Sequence, residues 1–426
     1  MYDRIIVGGG PSGLACATYL AGNSIVLEKR AQVGGCHRVQ WQDGFFSEHG
    51  PRVYHGGYVN WDRLLRDHGL RWHDVYRRTD YSPDHLDGMR WYQWMGWRTL
   101  GLMTVASVAY WLGLPVRGSV LDALDAWGVR GTDRRRIDTV CRFSDGAGID
   151  RYRLRQFISG FDYHSLYSFY TPSQPLDGSV WTPIRQSLER RGVVIKTGVG
   201  VRRVLHDGTR VYGVVTSNGR RIEARQVVLC LPPKPLAGIL HASGLQSYGA
   251  LAKATRYIPY WSYAVHLRPG VRDVVAVDGF LETPWGLIWM DLGMMGGTRV
   301  LSVAITRPPK GLEESDGVIP EMLRQLPLTP EARAAIVRVV PTRESDSATV
   351  DAEGTEALPQ IHPQVQGLAM VGCANRMSRY GFTSIESAVQ NAMVFCNVRR
   401  KQPWTLWWVM CVVALLVWVV VVMSRR

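Results

Sequence analysis

Gly8-Gly9-Gly10-Pro11-Ser12-Gly13 follows directly on the apolar run Arg4-Ile5-Ile6-Val7, and an acid, Glu28, stands twenty residues beyond Gly8. Residues of these types at this spacing suit an adenine dinucleotide. Gly8 permits a tight turn, Gly10 leaves the main chain bare for a pyrophosphate, and Gly13 lets a helix lie close to the strand. Pro11 and Ser12 open that helix, whose N–H groups and positive dipole end face the phosphates. Glu28 accepts hydrogen bonds from a ribose 2′-OH, and its charge disfavours a 2′-phosphate. Positioning these groups requires a strand up to Val7, a helix from Leu14 to Leu20, and a second strand from Ser24 to Leu27 that ends in Glu28.

The acid continues into Lys29-Arg30-Ala31-Gln32-Val33-Gly34-Gly35, and Gly44-Phe45-Phe46-Ser47-Glu48-His49-Gly50-Pro51-Arg52-Val53-Tyr54 follows. Here the chain resembles the flavin-containing amine oxidoreductase superfamily, which includes amine oxidases, phytoene-type desaturases and protoporphyrinogen oxidases. The resemblance implies FAD as cofactor and assigns Lys29, Arg30, Gly34 and Gly35 to it beside Gly8, Gly10, Pro11, Ser12, Gly13 and Glu28. It returns at Gly192 to Thr197 and Val199 to Val204, where the main chain at Val201 would hold the adenine. It returns again at Gly367-Leu368-Ala369-Met370-Val371-Gly372, followed after a loop by a helix from Thr383-Ser384-Ile385. That late element implies contacts from Gly372, Cys373, Ser384 and Ile385, with the helix N-terminus at the flavin ring, where reduction builds negative charge.

Several positions depart from the family pattern. Cys36 and His37 stand where many relatives carry an arginine, and Cys373 stands where many carry an acid. Ser384 occupies the position of one wall of the amine oxidases' aromatic cage. Ser262 is the loose match to their flavin-side lysine, the nearest lysine being Lys253. The desaturase branch lacks both features and so compares better. Arg379 and Tyr380, just before the late helix, and Tyr260, in an aromatic stretch with Trp261 and Tyr263, are the candidate catalytic residues. The resemblance implies removal of two hydrogens from an amine or a lipophilic substrate, with a quinone or O2 as electron acceptor. A fainter resemblance, carried by Gly50 to His55 and Arg379-Tyr380, is to the UDP-galactopyranose mutases, flavoenzymes with a non-redox reaction. A degenerate FAD-binding protein is a third reading.

The expected fold class is α/β: a Rossmann-like FAD-binding domain with an interleaved α+β substrate domain and one C-terminal transmembrane helix. The cofactor domain is expected from residues 1–80, 185–255 and 362–400, and the substrate domain from 81–184 and 256–361. Residues 404–423, from Trp404 to Met423, carry no charge and would span a bilayer, flanked by Arg399-Arg400-Lys401 and Arg425-Arg426. This layout resembles that of monoamine oxidases and implies a tail anchor in membrane lipid with the catalytic part facing the cytosol. A second uncharged stretch, Thr99 to Leu114, reads either as a core helix or as a patch lying on the membrane. Trp91, Trp94 and Trp97 before it suggest one helical face. The net charge of +14, with only six lysines among fifty basic residues, suits anionic headgroups. No nucleic-acid or metal-binding signature accompanies it. The seven cysteines are scattered and odd in number, which argues for a reducing compartment.

Overall fold

The computed structural model describes every residue except 21, 80–84, 87–88, 165–166, 276–282, 308, 310–316, 351–356, 379–382, 404–409 and 412–426. In the first half of the chain, the elements that matter here are β1 (Tyr2–Val7), α1 (Pro11–Tyr19), β2 (Ser24–Leu27), β3 (Val39–Gln42), β4 (Phe45–Glu48), α2 (Val59–Asp67), α3 (Trp97–Trp111), α4 (Val120–Ala126), α5 (Gly131–Asp145) and α6 (Leu154–His164). In the second half they are β5 (Val194–Lys196), β6 (Val201–His206), β7 (Val211–Thr216), β8 (Arg221–Leu229), β9 (Arg256–Leu267), β10 (Leu287–Met295), β11 (Thr298–Ile305), β12 (Ile336–Val350), β13 (Leu368–Met370) and α7 (Ile385–Phe395).

The strands of the first sheet come from three separated stretches of chain. β5, β2, β1, β8 and β13 lie side by side and parallel, and β7 and β6 extend the far side of β8 as antiparallel strands. Ile5, Ile6, Val26, Val227 and Val228 are buried, as a parallel sheet covered on both faces demands. Register carries the functional consequence. Val7 lies opposite Leu27 and Leu229, Lys196 opposite Leu27, and Met370 opposite Leu229. The carboxyl ends of all five strands therefore align, and Gly8, Glu28 and Gly372 emerge along one edge, where open α/β sheets bind ligands.

The second sheet is antiparallel, in the order β10, β11, β9, β12. Alternation along β9 gives it two faces. Tyr263 and Val265 pack into a core of its own, whereas Ala264 packs into the core shared with the first sheet. His266 fixes this second face on β4, its Nε2 lying 2.8 Å from the Phe46 carbonyl. A helical cap of α3, α4, α5 and α6 forms a further core around Ile137, Tyr152 and Ile158. Asp138 joins the cap to β11: it accepts from Arg142 and Arg307, and Arg142 also donates to the Thr306 carbonyl.

One expectation changes, and another lies beyond the described residues. Trp91, Trp94 and Trp97 do not share a helix face. A short helix ends at Trp94, and Gly96 caps the start of α3 with its N–H on Asp133. Trp94 is buried and Trp97 exposed. The break at Gly96 turns a spacing of three into two helices. Residues 404–423 lie almost wholly outside the described residues; among those described, no helix is long and apolar enough to cross a membrane.

Candidate functional site

The glycines divide the work as their geometry dictates. Gly8 has φ +105°, and a Cβ there would lie 2.4 Å from the Cys230 carbonyl oxygen. A Cβ on Gly13 would lie 1.9 Å from the Gly8 carbonyl oxygen, so α1 seats directly on the turn. Gly10 instead faces the second glycine turn. The nearest atom to a Cβ there is the Cα of Gly35, 3.7 Å away. The second glycine turn thus faces the first, and neither Gly10 nor Gly35 puts a side chain between them. Gly34, at φ +112°, lies under the Trp181 ring, whose Nε1 donates to the His37 carbonyl at 2.8 Å.

Glu28 is buried beside this contact. Its carboxylate accepts from the N–H of Gly9 at 2.7 Å and of Arg30 at 2.9 Å, so it holds both the turn and its own exit loop. The following loop delivers Val201: Gly198 N–H donates to the Arg30 carbonyl and Val199 N–H to the Glu28 carbonyl. Lys29 and Arg30 are exposed beside it. Pro11 is the first residue of α1, and Ser12 Oγ donates to the Ala388 carbonyl at 3.2 Å, joining α1 to α7.

At the far end, Gly372 is fixed by two asparagines. Its N–H donates to Asn375 Oδ1 and its carbonyl accepts from Asn391, both at 2.7 Å. Ser384 is the N-cap of α7 and accepts from Ser387 N–H at 3.0 Å, with Ile385 as the first helical residue. Ser387 Oγ lies 3.5 Å from the Cys373 sulfur, and burial pushes that thiol up to about 11. A thiol so placed stays protonated and packs against the helix cap. Arg379 and Tyr380 lie outside the described residues. Tyr260 lies on β9 opposite Glu344. Lys253 is exposed.

Three features escape sequence reasoning. Glu48 is buried with both carboxylate oxygens unpartnered among the described residues, and burial raises it to about 7 despite the nearby Arg52 charge. The hydroxyls of Ser262 and Thr342, directly opposite one another on β9 and β12, are likewise buried and unpartnered. They occupy the face that Ala264 turns toward the first sheet. Third, Glu386 on α7 accepts from Asn60 and Trp61 N–H groups at the start of α2, from Asn60 Nδ2 at 2.7 Å and from Gln390 at 2.8 Å. Asn60 also receives the Lys401 N–H at 2.8 Å and donates to the Lys401 carbonyl at 2.9 Å. A lone acid in an apolar helix is the only sequence signal of that junction.

Two side-chain-free glycine turns in backbone contact, a buried acid beside them and a helix N-terminus near the aligned strand ends fit a dinucleotide carrying a second ring system. Residues 6–68 match the family model of an NAD(P)-binding Rossmann-like domain, and residues 129–265 match that of the flavin containing amine oxidoreductases. No curated protein matches the chain. Among solved structures, an oxidoreductase from Methanosarcina mazei is similar over 92% of this chain and 99% of its own, with TM-score 0.67 and 16% identity. Putrescine oxidase bound to putrescine is similar over 93% and 98%, with TM-score 0.64 and 16% identity. Cyclohexylamine oxidase from Brevibacterium oxydans is similar over 93% and 98%, with TM-score 0.65 and 15% identity. The chain is an FAD-dependent oxidoreductase with the fold of these enzymes.

Proposed function

We propose that this chain is a membrane-attached flavoenzyme that removes two hydrogens from an amine or a lipophilic substrate, and passes the electrons to a quinone or to O2. The observation that carries the cofactor assignment is the pair of side-chain-free turns at Gly10 and Gly35, packed backbone against backbone, with Glu28 buried beside them. Gly8, Gly10, Pro11, Ser12 and Gly13 would receive the pyrophosphate. Glu28 would receive the ribose, Lys29, Arg30 and Val201 the adenosine side, and Gly34 and Gly35 would close over the dinucleotide. Gly372, Cys373, Ser384 and Ile385 would border the flavin ring. Bound there, FAD supplies two-electron redox chemistry. The protein's own part is to orient substrate and exclude water, for which the inner face of the second sheet, with Ser262, Ala264 and Thr342, would form one wall. Arg379, Tyr380 and Tyr260 remain the proposed substrate-side residues. Membrane attachment rests on the uncharged run Trp404 to Met423 between basic flanks.

The test is to purify the chain in detergent and record its visible spectrum. Anaerobic bleaching should then follow on addition of amines, porphyrinogens or carotenoid precursors. Flavin absorbance that no such compound bleaches, together with turnover of UDP-galactopyranose needing only an activating reductant, would replace this reading with the mutase one. Glu28→Gln is expected to lower the flavin content of the purified chain, read as the ratio of visible to ultraviolet absorbance; full occupancy in that variant removes the ribose assignment.

A further inference from the structure

The helical cap exposes apolar surface that its own core does not use. On α3, Thr99, Leu102, Met103 and Ala106 are buried against α5 and α6. The other side presents Trp97 at 76% exposure, Val105 at 55% and Val108 at 41%, and the turn beyond it adds Leu112 at 61% and Leu114 at 55%. Five large apolar side chains within eighteen residues stand in water, with no charged residue between Arg98 and Arg117. A lone exposed valine means nothing; a contiguous ridge of this kind marks a contact surface.

Charge identifies the partner. Arg98 lies over the Trp97 ring, with its guanidinium carbon 5.2 Å from the centroid, at one end of the ridge, and exposed Arg117 follows at the other. Three acids of the neighbouring helices are engaged elsewhere. Asp133 accepts from Gly96 and Thr99, Asp125 pairs with Arg134, and Asp122 closes the capping box of α4 with Ser119. An apolar ridge with an interfacial tryptophan and an arginine at each end is complementary to an anionic bilayer surface. We propose that α3 and the turn to Leu114 lie in the headgroup layer of an anionic membrane, as a second contact separate from residues 404–423. This inference rests on the membrane attachment proposed above.

The full chain is bound to vesicles of phosphatidylcholine, with or without phosphatidylglycerol, and recovered by flotation. Trypsin cleavage after Arg117 and after Arg220, in the exposed hairpin turn between β7 and β8, is followed by mass spectrometry. On phosphatidylglycerol vesicles, cleavage after Arg117 is expected to slow by about tenfold while cleavage after Arg220 holds its rate. The triple variant V105D/V108D/L112D, altered only at exposed positions, should float equally well yet be cut after Arg117 as fast as after Arg220. Equal protection of Arg117 in the variant, or none in the unaltered chain on floating vesicles, overturns the second contact and leaves the tail attachment standing. A chain that does not float at all overturns the attachment itself. A change of oligomeric state in the variant, seen by sedimentation, would instead assign the ridge to a second copy of the chain.

Discussion

Among the described glycines, Gly13 leaves the least room for a side chain. With a Cβ at this position only 1.9 Å from the Gly8 carbonyl, Gly13→Ala cannot be absorbed by a side-chain rotation, and α1 must lift from β1. The expected result is loss of flavin from the purified protein and a lower unfolding midpoint; a variant that keeps both would refute the close seating. Glu48 offers a test of a different kind. Its folded pKa of about 7 lies above the ordinary value of 4.5, so the folded chain binds a proton that the unfolded chain has released between those values. Stability contributed by this group is present below about pH 4.5 and is lost as pH rises to about 7. Glu48→Gln removes that loss. Relative to the unaltered chain, the variant should gain about 2–3 kcal/mol on going from pH 5 to pH 8 in denaturant titrations. A pH-independent difference would mean that Glu48 finds a partner for its charge. The glycines and Glu28 were legible because each has one backbone or charge requirement fixed by spacing. Glu48 was not, since its perturbation comes from residues far along the chain.

At the scale of elements, α2 and α7 meet end to end through one carboxylate. Glu386 is fully buried, and every donor aimed at it comes from the first turn of α2 or from Gln390, one turn further along α7. Glu386→Ala strands the N–H groups of Asn60 and Trp61 and should cost about 2–4 kcal/mol in unfolding free energy, with Glu386→Gln recovering part of it. Equal stability of all three proteins would show the junction to be dispensable. Strands β1 and β2 could be read in advance because continuous apolar runs bounded by glycine or an acid have few other solutions. The tryptophans from Trp91 to Trp97 could not, because a spacing of three says nothing about a cap. That depended on Asp133, thirty-seven residues beyond Gly96, reaching the Gly96 N–H.

For the whole molecule, the interleaving of chain segments explains how distant motifs come to one place. Alignment of five parallel strand ends carries Gly8, Glu28 and Gly372 to one edge without any contact between them in sequence. What stays illegible at this scale is the substrate, because the second sheet's inner wall is built of small and hydroxyl-bearing residues that serve packing equally well. Lys401 belongs to this scale as well. Its main chain is gripped by Asn60, while Arg63 holds the Arg399 carbonyl and Arg400 reaches the Met377 carbonyl. Residues 399–401 therefore form a hydrogen-bonded collar just before the apolar run, and that collar shares the asparagine through which α7 is braced. Under the membrane attachment and flavin assignment proposed above, anchorage and cofactor retention form one mechanical linkage. A chain cut after Arg400 should shed its flavin faster than the intact protein in a stopped-flow dilution, even in a detergent where neither has a bilayer to hold.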